Sequence, residues 1–332
     1  MNIYLPSGYC DIKSFLDTGM PFIFIFGGRG IGKTYGSLRY VLESGRKFLF
    51  IRRLQSQIDL VGKPEFSPFK AVMNDMGIDV KVKSITKYNS GFYIDDELIG
   101  YAAALSTISN LRGFDASDVD LIIFDEFIPE RHERTIREEG TAFLNMVETI
   151  GRNREFQRGK MLQVLCLANS NDLGNPIFME LNLIKAVEKM KQKKKAYYLN
   201  KDRGLLLVNL DESPISKKKE ETSLYKLVKG SDFEKMALQN EFIDDSIAIN
   251  KSRNLIEYSP YVRIADCTIY KHKSENKYYM SEHNSGSPPI FTTASADLER
   301  FRRTYYYLWN AYLDRRIEFE NKLCSLLFER LW

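Results

Sequence analysis

Eight consecutive residues, Gly27-Gly28-Arg29-Gly30-Ile31-Gly32-Lys33-Thr34, fit the pattern G-x-x-x-x-G-K-[ST] in full. Such a run does anion chemistry. Glycines admit the tight, partly left-handed backbone that turns successive N–H groups onto phosphate oxygens. The helix that follows offers its positive end to the same anion. Lys33 then reaches the β- and γ-phosphates of a nucleotide, and the Thr34 hydroxyl reaches a bound Mg²⁺. ATP and Mg²⁺ are therefore the expected ligands, cradled by Gly27 to Thr34. Arg29 either contacts phosphate or pairs with Glu126 in a resting state. The flanks make the match specific, since Phe22-Ile-Phe-Ile-Phe26 reads as a buried strand and Tyr35-Gly-Ser-Leu-Arg-Tyr-Val-Leu42 as a helix.

A second group of residues supplies the rest of the chemistry. Asp125-Glu126 ends an apolar run, where Asp125 would hold Mg²⁺ and Glu126 would orient and polarise an attacking water. A base so placed is worth roughly 10²–10⁴ in rate. Asn169 closes the next apolar run, and its amide either senses the γ-phosphate or begins the turn Asn169-Ser-Asn-Asp172. Arg152-Asn-Arg154 follows a helical stretch beginning near Glu139. One of these arginines acts as a finger on a neighbouring subunit's nucleotide, an effect worth roughly 10³–10⁵ in turnover, or both complement the negative end of their own helix. The roughly ninety residues between cradle and Asp125 leave room for an additional intervening strand, as in ATPases with a catalytic glutamate.

These groups need a sheet that delivers them to one edge. The first half of the chain alternates short apolar runs with helix-like stretches, the rhythm of an α/β protein. Lys47-Phe-Leu-Phe-Ile51 is a second strand, ending in Arg52-Arg53. Asp120-Leu-Ile-Ile-Phe124 and Met161-Leu-Gln-Val-Leu-Cys-Leu167 are two more. Gly91-Phe-Tyr-Ile94 and Leu98-Ile-Gly-Tyr101 flank Asp95-Asp96-Glu97 as a hairpin. Phe143, Met146, Val147 and Ile150 mark a helical face. Residues 185 to 229 carry a local excess of +7, so the remainder of the chain sums to −3. The lysine runs there, Lys189 to Lys195 and Lys217 to Lys219, read first as solvated surface. Beyond 248, Tyr261-Val-Arg-Ile-Ala265 and Lys277-Tyr-Tyr-Met280 suggest strands, before one long final helix with Phe301, Tyr305, Leu308, Tyr312, Leu323, Leu326 and Leu327 on its buried stripe. The expected layout is a P-loop ATPase domain over 1–205, a basic connector over 206–247 and a smaller C-terminal α/β domain over 248–332.

Composition bounds these readings. The chain has 332 residues, 44% hydrophobic and 28% charged, room for about two domains of roughly 150 residues and ample core. The longest apolar run, Phe22 to Phe26, is far short of the roughly 18 residues of a membrane span. Met1 to Gly8 lacks the pattern of a secretory signal. An unexported protein without a membrane is the expectation. Four scattered cysteines and three histidines do not make a finger-type zinc site, and they suit a reducing compartment.

In order and spacing, Gly-Gly-Arg-Gly-Ile-Gly-Lys-Thr, Phe-Ile-Arg-Arg-Leu, Ile-Phe-Asp-Glu-Phe-Ile, Arg-Asn-Arg-Glu and Cys-Leu-Ala-Asn resemble the DNA-packaging ATPases of phi29-like podophages, as does Phe242-Ile-Asp-Asp-Ser246. The likeness is strongest before residue 175. It implies an ASCE-type P-loop fold with a C-terminal domain similar to a ribonuclease-H-like nuclease, here a vestigial one, since Asp266 and Asp297 find no third acidic partner on an adjacent strand and cleavage is not expected. It also implies a homomeric ring, a pentamer, docked on the portal of an empty capsid in the infected host's cytoplasm, driving double-stranded DNA inward. Lys33, Thr34, Asp125, Glu126 and Asn169 take the roles above, and the resemblance favours Arg152 as the trans-acting finger. Grip on DNA of any sequence needs cations on phosphate, and Lys63, Arg131 and Arg134 are the candidates. The connector lysines would meet DNA, a packaging RNA or an adjacent subunit. The alternative is another ring-forming P-loop ATPase acting on nucleic acid or protein.

Overall fold

The computed structural model describes residues 1–111, 116–129, 136–152, 154–159, 161–169, 175–210, 213–231, 249–250 and 253–332. The chain divides into two compact units, Met1–Ile243 and Asp244–Trp332.

Uninterrupted runs of Phe, Ile and Leu bury every side chain only where both faces of a strand are covered, the condition of a parallel sheet between helices. The first unit meets it. Strands β1 (Phe22–Gly27), β2 (Phe48–Arg52), β3 (Lys81–Thr86), β4 (Asn89–Ile94), β5 (Glu97–Ala104), β6 (Leu121–Asp125), β7 (Gln163–Ala168), β8 (Tyr197–Asn200) and β9 (Leu205–Leu210) form one sheet. Their spatial order is β3-β4-β5-β2-β6-β7-β1-β9-β8. The six strands from β5 to β9 run parallel, and antiparallel partners close both edges. The β4–β5 hairpin turns through Asp95 and Asp96, both at positive φ, which suits the strand twist.

Helices α1 (Ile12–Leu16), α2 (Lys33–Ser44), α3 (Gln55–Val61) and α4 (Lys70–Met76) cover one face, packing Phe15, Leu38, Ile58 and Val72 on Ile23, Phe50, Ile123 and Leu165. Helix α5 (Glu139–Gly151) and the short helix Pro176–Glu180 cover the other. There the Phe24 ring lies 5.6 Å from Phe127 and 5.7 Å from Phe178, and Phe143 stacks on Phe124 at 6.1 Å. Such ring pairs add to the stabilisation from burial alone.

Three expectations need correction. Strand β9 pairs in parallel with β1 over its whole length, so a boundary at 205 would remove a strand from the middle of the hydrogen-bonded ladder. The strand standing between the cradle strand β1 and the carboxylate strand β6 is β7, which follows Asp125 in the chain rather than filling the ninety-residue gap. That gap holds β2 and the β3–β4–β5 edge instead. The expected single final helix is two, Ser295–Leu313 and Lys322–Arg330. Arg315 takes a left-handed φ of 56° between them, and Ile317-Glu-Phe319 alternates buried and half-buried side chains, docking as a strand beside Tyr278–Met280.

That second unit has strands β10 (Tyr258–Ile264), β11 (Cys267–His272), β12 (Tyr278–Ser281), β13 (Ile290–Phe291) and β14 (Ile317–Phe319) in the order β13-β10-β11-β12-β14. Its core packs Phe291, Phe301, Leu308, Phe319 and Phe328. Asp297 is engaged locally, accepting from the Thr292 amide (3.0 Å) and hydroxyl (2.8 Å) and pairing with Arg300 (2.9 Å). Among the described residues no group of three or more His, Cys, Asp or Glu is arranged to hold a metal ion. Among them, too, no helix is long and apolar enough to cross a membrane.

One charged pair lies deep in the first unit. Arg53 (0% exposed) and Glu139 (1%) meet as a fork, Nε to Oε1 at 2.6 Å and Nη2 to Oε2 at 3.0 Å. The pair fastens the first turn of α5, where a carboxylate is also favoured by the helix dipole, to the residue following β2. Arg53→Met should cost about 3–5 kcal/mol by stranding a buried carboxylate. Arg53→Met with Glu139→Met should cost much less than the two single changes combined, as measured by denaturant unfolding of all three variants.

Candidate functional site

The cradle is where the sequence puts it. Strand β1 ends at Gly27 and α2 opens at Lys33, and the turn between passes through the left-handed region at Gly30 (φ 65°) and Gly32 (φ 87°). A side chain at either would be strained. The N-terminal segment lies along the loop, with Tyr9 against Gly32 and the Cys10 amide donating to Ile31 O at 3.0 Å. A cleft of about 860 Å³ opens beside it, walled by Tyr9, Lys13, Gly30, Gly32, Tyr35 and Arg39 among others. Lys33 is 4% exposed and donates to Gly27 O (2.9 Å) and Gly28 O (2.7 Å). Burial pulls its ammonium from the usual 10.5 down to about 8, against the upward pull of nearby Asp125.

Register then gathers the other groups. Ile51 is level with Phe124, Asp125 with Leu167, and Phe26 with Ala168. The residues just beyond, Arg52, Glu126 and Asn169, therefore emerge at one edge of the sheet, beside the end of β1. Thr34 donates its hydroxyl to Asp125 Oδ1 at 2.9 Å, joining cradle and carboxylate directly across 91 residues. Asn169 Nδ2 donates to Glu126 Oε1 at 3.4 Å, a long contact but one that brings the two together. Glu126 leaves the strand at a φ of 58°, a conformation uncommon away from glycine and concentrated at functional sites.

Arg52 is the residue that sequence reasoning quoted without giving it a role. Its guanidinium bridges both carboxylates, with Nη1 on Glu126 Oε2 and Nη2 2.7 Å from Asp125 Oδ2. The second contact is off the hydrogen-bonding direction, so Asp125 Oδ2 is buried with an ion partner but no hydrogen bond. Arg52 is thus a cation that meets Glu126 among the described residues. The signal was present, since a polar residue closing an apolar strand is the feature that singled out Asn169.

The two candidate arginines separate. Arg154 is 7% exposed and donates to the carbonyls of Val119, Ala116, Ser117 and Ile150, tying together segments of its own chain. Arg152 is exposed at the end of α5, with Nε donating to Thr149 O at 3.2 Å. Lys63 is exposed in the loop after α3. Arg131 and Arg134 lie outside the described residues.

A profile described as podovirus DNA encapsidation protein (Gp16) matches residues 7–311. The chain belongs to that family. Among relatives of this Gp16-family chain, the DNA packaging protein of Bacillus phage phi29 is 26% identical over 318 residues, covering 90% of each protein. That of Bacillus phage B103 is 25% identical, covering 90% of this chain and 92% of its own. The Gp16 fold is shared with the bacteriophage Phi-29 viral genome packaging motor assembly (TM-score 0.68, 23% identity, 98% of this chain and 99% of that one). It is shared also with the Phi-28 gp11 DNA packaging motor (TM-score 0.65, 21% identity, 95% of each).

The buried lysine of this Gp16 chain yields a pH test. Folding lowers its pKa from 10.5 to about 8, so above pH 8 the unfolded chain binds more protons and stability rises with pH. From pH 8 to pH 9 that lysine should add about 1 kcal/mol. Lys33→Met should lack the increment, read as the difference between the two proteins' urea midpoints across that range.

Proposed function

We propose that this chain hydrolyses ATP and uses the energy to drive double-stranded DNA into a preformed viral capsid, as one subunit of a homomeric ring at the portal. The observation that carries the reading is the Thr34–Asp125 hydrogen bond, which joins a full phosphate cradle to a carboxylate pair at the same sheet edge. The nearby cleft of about 860 Å³ has room for a base and sugar.

Thr34 Oγ1 and Asp125 are hard oxygen donors suited to Mg²⁺, and the buried Oδ2 of Asp125 lacks a hydrogen bond. These two residues would hold the ion, whose chemistry is to neutralise charge developing on the outer phosphates. Lys33, on leaving the carbonyls of Gly27 and Gly28, neutralises the same charge from the loop. Backbone amides of Gly30 to Thr34 orient the phosphates. Glu126, released from Arg52, aligns water with the terminal phosphorus and takes its proton, and the Asn169 amide fixes the carboxylate's direction. Arg152 of a neighbouring subunit completes the site. Its exposure at the end of α5, against the burial of Arg154, supports that assignment.

Lys63, Arg131 and Arg134 are the proposed contacts to DNA phosphates, and the exposed connector lysines suit a nucleic acid or an adjacent subunit. Portal-stimulated and duplex-stimulated turnover distinguishes this reading from a ring ATPase that acts on protein.

Glu126→Gln should lower ATPase turnover, measured with DNA and portal present, by roughly 10²–10⁴. Turnover near that of the unaltered protein would take Glu126 out of the mechanism. Arg152→Ala and Lys33→Ala subunits, each inactive alone, should recover part of the activity when mixed, because some interfaces then pair an intact cradle with an intact arginine. Absence of recovery at every mixing ratio would place the arginine's role within its own subunit.

A further inference from the structure

Lys217, Lys218 and Lys219 end the short helix Pro214–Lys219 that follows β9. Lys217 and Lys218 are exposed, as a charge run leads one to expect. Lys219 is turned inward. Its ammonium donates to the carbonyl of Arg29 in the phosphate cradle, 190 residues away in sequence. A methyl group added to Gly30 would collide with it. The side chain is half-buried, and that burial pulls its pKa below the usual 10.5.

The approach is built rather than incidental. Leu210, at the end of β9, is level with Gly27 at the end of β1, and a Cβ on Gly27 would come within 2.6 Å of the Leu210 Cβ. The chain therefore leaves the sheet against the first residue of the cradle. Ser213, fully buried, donates to Gly8 O at 3.1 Å and accepts from the Ile215 amide at 3.3 Å, capping the helix. Pro214 and Ile215 pack on Gly8. Lys219 is aimed at the cradle from that anchored helix.

Two ammonium groups thus hold three successive carbonyls, Lys33 on Gly27 and Gly28 and Lys219 on Arg29. They repel one another, and the repulsion is one of the causes depressing the Lys33 pKa. Neutral carbonyls are weaker partners for a full positive charge than phosphate oxygens are. A polyanion lying on the loop would satisfy both cations at once.

We propose that Lys219 is a second phosphate-contacting cation of this site, supplied by the same subunit, which engages the terminal phosphates of a bound nucleoside triphosphate beside Lys33. This assignment rests on the reading of the cradle as a nucleotide site. It also makes the site more selective for triphosphate over diphosphate, because the outermost phosphate carries the extra contact.

The test is calorimetric binding of a non-hydrolysable ATP analogue and of ADP, with Mg²⁺, to the full chain and to Lys219→Gln, Lys219→Arg and Lys33→Ala. Lys219→Gln should weaken analogue binding about tenfold, the size of one charge-assisted hydrogen bond, and ADP binding by less. Lys219→Arg should retain most of the affinity, and thermal melting should show both variants folded. Unchanged or tighter analogue binding by Lys219→Gln, with Lys33→Ala defective, would overturn the role of Lys219 and leave the nucleotide reading intact. An unaltered protein that binds neither ligand would overturn both.

Discussion

Two adjacent carboxylates at the mouth of a sheet buried on both faces are tolerable only with positive charge beside them. Stranding a buried ion without a partner costs several kcal/mol, a large share of a domain's net stability. Here Arg52 supplies that charge from the neighbouring strand, touching Asp125 and Glu126 together. The remaining chemistry is arranged around this contact. Asp125 keeps one oxygen for Thr34, Glu126 turns out of the strand toward Asn169, and Lys33 fills the space behind with its own charge tied to the loop. Parallel strands make the arrangement possible, because all of them end on the same side.

Much of the site was legible in the sequence, and for a physical reason. The groups proposed for phosphate chemistry are local to strand ends, so a Phe-Ile-Phe-Ile-Phe run followed by glycines and Lys-Thr, or an apolar run closing in Asp-Glu, carries its own context. Contacts made across the sheet leave no such trace. The Arg52 bridge depends on the register of β2 against β6, and the Lys219 contact depends on β9 lying beside β1. Neither register is written in spacing along the chain. Strand β9 itself, Leu205-Leu-Leu-Val-Asn-Leu210, is as apolar as β1. The lysines on either side of it dominate the local composition, so from sequence alone it reads as part of a connector. The two final helices read as one for the opposite reason. A helical stripe from Phe301 to Leu327 runs on through Arg315 and Arg316, and only the pairing of Ile317–Phe319 with β12 reveals the break.

The cradle is covered from two directions that are far apart in the chain. Tyr9 and Cys10 lie against it from the N-terminal segment, Leu210 from the end of β9 and Lys219 from the helix that follows. The two coverings touch each other through Ser213 and Gly8. A loop so enclosed does not need to be rigid by itself. Its glycines provide the backbone freedom, and its neighbours limit it.

Helix α5 has a buried ion pair at one end and an exposed arginine at the other. Adjacent residues on a strand face opposite ways, so Arg52 meets the carboxylates while Arg53 grips Glu139. Thirteen helical residues make a strut of about 20 Å at 1.5 Å per residue. The buried anchor and the exposed arginine are thus held about 20 Å apart by one element.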